Sequence, residues 1–153
     1  ADVDYRVAFI PLYIFRHTAR ETWRAGDLID MKAETNDNGD YYDIALTIDG
    51  ALGALSINDE TTSVDTPLRP ASLWNKAALG DQVILDPADG DLMKVSVAEA
   101  GEETITVRGR EIRARRYDMT GDFQRMLWFD QHNVLVQVVF DGEDGSEIRY
   151  QLR

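Results

Sequence analysis

The chain has 153 residues, within the range of one domain, and is 44% apolar and 29% charged, enough for a sizeable core. With 28 acidic against 16 basic residues its formal charge is −12, a field that repels phosphate backbones and anionic headgroups and so argues against a nucleic-acid partner. There is no cysteine, which excludes disulfides, thiolate metal sites and cysteine nucleophiles, and no apolar run approaches the roughly 18 residues of a transmembrane segment.

No charged and apolar leader precedes Ala1, so the start reads as a processed or trimmed end. The opening run "VDYRVAFIPLYIFRHTARETW" alternates apolar and polar residues and predicts one long strand from Val3 to Trp23. One face carries Phe9, Tyr13, Phe15, His17, Ala19, Glu21 and Trp23. His17 and Glu21 are out of place on an apolar face, and at about 3.3 Å per residue they lie roughly 13 Å apart along the strand. A buried carboxylate is costly without a donor, so Glu21 needs a cationic or hydrogen-bonding partner or a wet cavity.

A three-residue loop, Arg24-Ala25-Gly26, predicts a hairpin in which Glu21 faces Ile29, Ala19 faces Met31 and His17 faces Ala33. Arg20 then faces Asp30 and Arg16 faces Glu34 on the other side, as opposite-charge pairs. The Asn38-Gly39 pair is the strongest hairpin signal in the chain, because a type I′ turn needs positive φ at both central residues. It sets Tyr42, Ile44 and Leu46 opposite Thr35, Ala33 and Met31. Asp49-Gly50 offers a further turn into "ALGALSI".

Residues 58–70, "NDETTSVDTPLRP", lack sustained periodicity and read as a crossing loop. "ASLWNKAALG" predicts a short helix capped by Ser72 and ended by Gly80, with Trp74 on its apolar stripe. From Val83 onward seven further strands are expected: "VILD", "LMKVSVAEA", "ETITVRG", "EIRARRYDM", "FQRMLWFD", "NVLVQVVFD" and "SEIRYQL". The alternation shifts phase between Ala114 and Tyr117, which predicts a β-bulge near Arg115 and Arg116. The basic run Arg108 to Arg116 reads as a solvated strand face offset by Glu102, Glu103 and Glu111.

The predicted fold is mainly β: a curved antiparallel sheet or half-open β-barrel of about ten strands, with one short helix as lid or plug. It forms a single domain, 1–153, divided into an N-terminal meander (1–57), a loop and helix (58–80) and a C-terminal meander (81–153). The acidic turns "NDNGD", "DPADGD" and "DGEDGS" lack the ligand spacing of a calcium loop and read as hairpin turns. No nucleophile motif accompanies His17 and Glu21, and His132 reads as a turn residue. No cofactor or metal is expected.

The stretches "HTARETWRAGDLIDMKAETNDNG", "SLWN", "IRARRYDMTGDFQRMLWFD" and "DGSEIRYQL" together resemble an uncharacterised family of exported bacterial proteins, a domain of unknown function, along nearly the whole chain. That resemblance implies a periplasmic or secreted location. It also implies a distant similarity to lipoprotein-carrier-like half-barrels, in which a curved sheet and a helical lid enclose an apolar cavity.

The leading expectation is accordingly an exported binding module that holds a hydrophobic or amphipathic, lipid-like molecule in the concave face. His17, Glu21, Trp23, Trp74, Arg116 and Trp128 are the candidate ligand-binding residues, with Arg116 as the partner of Glu21. The alternative is a ligand-free structural or protein-interaction domain of the cell envelope with an envelope protein as partner. A third class is a hydrolase using His17 and Glu21.

Overall fold

The structure, a computed structural model, describes residues 2–7 and 15–151. It is mainly β, with antiparallel pairing through β1–β6 and through β9–β13 and a single short 3-10 turn among the described residues. The strands are β1 (Asp2–Val7), β2 (Phe15–Arg24), β3 (Asp27–Asp37), β4 (Asp40–Asp49), β5 (Leu52–Ile57), β6 (Glu60–Asp65), β7 (Arg69–Pro70), β8 (Val83–Leu85), β9 (Leu92–Val107), β10 (Arg110–Gly121), β11 (Arg125–Asp130), β12 (Leu135–Asp141) and β13 (Glu147–Gln151). They form two sheets rather than one, six strands in the order β1-β2-β3-β4-β5-β6 and seven in the order β13-β12-β11-β10-β9-β8-β7. The chain gathers into two units, residues 1–71 with 85–92, and residues 72–84 with 93–153.

The six-stranded sheet is a meander whose register is set by tight turns. Asn38 and Gly39 both take positive φ (52° and 106°), and the β3–β4 pairing is the expected one, Thr35 with Tyr42, Ala33 with Ile44 and Met31 with Leu46. The first hairpin differs. Its turn has two residues, Ala25 and Gly26, which moves the pairing by one residue, and a bulge between Thr22 and Trp23 moves it by one more. Glu21 therefore faces Met31, His17 faces Thr35 and Arg20 faces Lys32. From Phe15 to Thr22 a two-residue shift keeps the predicted faces while changing every cross-strand partner, whereas beyond the bulge the phase moves by one and Leu28 rather than Ile29 is buried opposite Trp23.

The expected long first strand is two strands. β1 folds back on β2, with Val3 opposite Glu21 and Val7 opposite His17. Pro11, which has no N–H to give a ladder, lies between them in sequence and is the local signal against one continuous strand. Phe9 and Tyr13 lie outside the described residues.

The expected 58–70 loop is also partly strand. Asn58 and Asp59 supply the two positive-φ residues of another tight turn (48° and 71°), and β6 pairs along β5 from Ile57–Glu60 to Leu52–Asp65. The buried face of this sheet carries Met31, Ile44 and Leu46, all fully buried, and each contributes about 1.5–3 kcal/mol relative to exposure.

In the seven-stranded sheet, "LMKVSVAEA" and "ETITV" join into the single 16-residue strand β9. The expected bulge is present: the β9–β10 register slips between Arg116 and Tyr117, leaving Ala100 as the extra residue beside Gly101. The sheet curls, because the Gln151 side chain on β13 donates to the Thr106 carbonyl on β9 at 2.8 Å although three strands separate them. Its core includes Val107, Ala114, Trp128, Val136 and Val139. The expected Ser72–Gly80 helix is a five-residue 3-10 turn, Lys76–Gly80, capped by the Asn75 side chain accepting from Ala77 N at 3.0 Å. Leu73 sits at φ +58°, outside helical geometry, so the cap moves three residues along and the turn buries only Ala78.

Candidate functional site

Alternation along β2 places His17, Ala19, Glu21 and Trp23 on the buried face of the six-stranded sheet. Glu21 is 0% exposed and accepts a hydrogen bond at 3.0 Å from Nε1 of Trp23, its neighbour on that face two residues along. The indole is therefore one donor to this buried carboxylate, supplied from its own strand. His17 is 5% exposed, and its Nδ1 lies 2.8 Å from Oγ1 of Thr35, its cross-strand partner. The imidazole also stacks on Phe15, with ring centroids 6.3 Å apart. Burial penalises its charged form and lowers its pKa from the ordinary 6.5, so it is neutral at pH 7.

A hydroxyl beside an imidazole is the arrangement of a base-activated nucleophile. Here both groups are buried in an apolar face, and neither lines any of the three clefts described below.

The other candidates lie on the seven-stranded sheet. Arg116 and Trp128 are directly opposite on β10 and β11, with the guanidinium 5.8 Å from the indole centroid. Arg116 donates to Asp118 in a fork, Nε to Oδ1 at 2.7 Å and Nη2 to Oδ2 at 2.9 Å. Arg116 pairs with Asp118 and Glu21 accepts from Trp23, each partner lying two positions along the same strand. Strand spacing explains this: residues i and i+2 share a face about 6.6 Å apart, within reach of long side chains.

Trp128 Nε1 donates to Glu103, an exposed carboxylate. Trp74, 36% exposed, precedes the 3-10 turn rather than lying on a helical stripe. The arginine run of β10 faces a glutamate ladder on β9: Arg113 and Arg115 both reach Glu102, at 2.8 and 2.6 Å, and Arg115 also reaches Glu99 at 3.2 Å. The hydrogen bond from Arg115, then the nearby charges of Arg113 and Arg115, hold Glu102 below the usual carboxylate range.

The three clefts are lined largely by polar and charged groups. One of about 520 Å³ runs beside Arg125, whose guanidinium is sandwiched between Phe123 and Phe140 at 3.9 and 3.8 Å from their centroids. A second, about 430 Å³, contains Lys76, which donates to Asn133 Oδ1 at 2.8 Å and lies 5.3 Å from the Tyr117 centroid. The third, about 640 Å³, lies on the outer face of β2–β5 and includes Arg20, Lys32, Glu34, Asp43, Ala45 and Ser56. Sequence reasoning missed it, because the shifted first-hairpin register places Arg20 beside Lys32 rather than Asp30.

Among the described residues no group of three or more His, Asp or Glu is arranged to hold a metal ion. The acidic turns use their oxygens locally: Asp144 Oδ1 accepts from Ser146 N and Oγ, and Asp86 Oδ1 from Ala88 N. A family model described as Domain of unknown function (DUF6134) matches residues 1–153. No curated protein and no solved structure matches the chain.

Proposed function

We propose, from the premise that the chain belongs to the family DUF6134, that it is an exported protein-interaction module whose apolar sheet face is core and whose recognition surfaces are its edges and outer faces. The observation that carries this reading is the closure of the buried face of the six-stranded sheet. Met31, Ile44, Leu46 and Glu21 are each 0% exposed, so these side chains serve as packing groups. The resemblance to exported bacterial proteins supports the location.

An open strand edge supports the interaction role. The two-residue turn at Asn58-Asp59 makes Ile57–Glu60 a hydrogen-bonded pair, so by alternation Thr61 and Ser63 direct their N–H and C=O away from β5. β6 ends the sheet order, and residues 60–63 are exposed. Such an edge is a template for an added strand from a partner.

The carrier reading keeps one supporting observation: His17 and Glu21 are polar groups on an otherwise apolar face, as in pockets that orient a ligand's polar end. Native mass spectrometry of the purified protein separates the two. The interaction module runs at the mass of the chain alone and takes up no apolar dye, whereas a stoichiometric copurifying lipid would overturn the proposal.

A further inference from the structure

The edge strand β6 is acidic at both ends. Glu60 opens it and Asp65 closes it, and both are exposed. Each faces an apolar residue of β5 across the ladder, Ile57 and Leu52, and neither makes an ion pair among the described residues. Asp65 also ends a transverse row, Asp49 on β4, Leu52 on β5 and Asp65 on β6, in which Leu52 is 65% exposed. Between the acidic ends stand Thr61, Thr62 and Ser63, uncharged and exposed, and the buried Val64. Glu60 and Asp65 are five positions apart and so lie on opposite faces of the strand.

These side chains frame the backbone groups that Thr61 and Ser63 direct away from β5. A strand added there meets a carboxylate at each end, and opposite charges directly across a ladder are favourable whereas like charges are not. A second copy of this chain fits poorly: pairing β6 with itself about Thr62 would set Asp59 against Asp65 at both ends, between molecules that each carry a formal charge of −12. A lysine or arginine opposite Asp65 instead extends the transverse row, its charged head beside the carboxylate and its methylene stem leaning towards Leu52.

We infer that the β6 edge takes an extended basic segment of another protein, about six residues long, with lysine or arginine at both ends and β-branched residues between them. The inference rests on the reading of β6 as an open edge and adds the chemistry of the strand that docks there. Antiparallel addition is the more stable sense. The partner's two terminal cations then point to opposite faces, one towards Asp65 and one towards Glu60. Its affinity falls with added salt, because both ion pairs are solvent-exposed.

The test titrates the isotope-labelled full chain with the capped peptide acetyl-Lys-Val-Thr-Val-Thr-Lys-amide, which in the antiparallel sense sets a lysine opposite Asp65 and Glu60 and a valine opposite Val64 and Thr62. Saturable amide shifts along β6 and slowed hydrogen exchange at the Thr61 and Ser63 amides are expected, with a dissociation constant on the order of 1 mM. The same peptide with glutamate in place of lysine should bind about tenfold more weakly, as should the lysine peptide to Glu60→Gln/Asp65→Asn. Ser63→Pro keeps the net charge and removes an N–H that β5 does not use, so it should abolish the slowed exchange at Thr61 with little change in melting temperature. If that proline destabilises the sheet, the Glu60→Gln/Asp65→Asn variant carries the test alone.

Equal binding of the lysine and glutamate peptides, or undiminished binding by Glu60→Gln/Asp65→Asn, would overturn the basic-partner inference and leave the open edge standing. Peptide binding that a folded Ser63→Pro variant leaves intact would place the peptide off the edge and overturn the inference. No saturable shift along β6 with either peptide at a concentration on the order of 10 mM would overturn both the inference and the edge as a recognition surface.

Discussion

The burial of Glu21 predicts an unequal response of two tryptophans to the same substitution. Trp23 and Trp128 are similarly buried, at 7% and 6% exposure, and each indole N–H donates to a glutamate. The acceptors differ: Glu21 is 0% exposed, whereas Glu103 is exposed. Trp→Phe removes the donor in both cases and some ring volume, the latter costing about 1 kcal/mol at either site. At Trp23 the lost hydrogen bond leaves a carboxylate that water does not reach, adding about 1.5–3 kcal/mol. At Trp128 water replaces the donor, and the loss adds about 0.5–1 kcal/mol.

Urea denaturation should therefore show Trp23→Phe less stable than wild type by about 2.5–4 kcal/mol and Trp128→Phe by about 1.5–2 kcal/mol, at unchanged m-value. Losses equal to within about 0.5 kcal/mol, the usual resolution of such comparisons, would refute the reasoning and show that Glu21 is solvated or held by its other contacts.

The Arg116 pair is local and about one-third exposed on each side, so Arg116→Met should cost about 1 kcal/mol, the sum of a screened ion pair and a weak contact with Trp128; a loss near the 3–5 kcal/mol of a broken buried pair would contradict the structure in a denaturant melt. A Cβ at Gly121 would lie 2.4 Å from the Lys94 carbonyl oxygen at φ +109°, whereas one at Gly109, φ +78°, meets nothing within 4 Å. Gly121→Ala should therefore cost about 3–5 kcal/mol and Gly109→Ala about 1 kcal/mol, and equal melting temperatures for the two would exclude the backbone clash.

The lowered pKa of His17 sets a direction for pH dependence. Below the ordinary value of 6.5 the unfolded chain takes up a proton that the folded chain refuses, so this contribution is fully present above that pH and is lost as pH falls towards the folded pKa. The stability difference between wild type and His17→Gln should accordingly be smaller at about pH 5 than at about pH 7.5, and a difference that does not change between them would remove the assignment.

Local chemistry determined much of this protein. A composition rich in alternating segments, without alternating helices, specified a mainly β antiparallel fold. Asn38-Gly39 specified both its turn and the β3–β4 register, because only residues tolerant of positive φ satisfy a type I′ turn. The phase change before Tyr117 specified the β9–β10 bulge. Alternation also put His17, Glu21 and Trp23 on the buried face, since a period of two is insensitive to which strand lies opposite.

What alternation does not encode is partner identity. The two-residue turn and the bulge at Thr22–Trp23 together moved the pairing from Phe15 to Thr22 by two residues, keeping the faces of His17, Ala19 and Glu21 but replacing their partners, and set Arg20 opposite Lys32. Asn58-Asp59 closed a turn without a glycine, because asparagine and aspartate also tolerate positive φ, and so turned an expected loop into an edge strand. A donor to Glu21 was within reach in the sequence at Trp23, two residues away on the same face, yet only the folded side-chain positions bring the indole N–H to the carboxylate. Turn propensity and face are properties of a few consecutive residues; register, and with it every cross-strand charge pair and the rim of every cleft, is settled by the energy of the whole sheet.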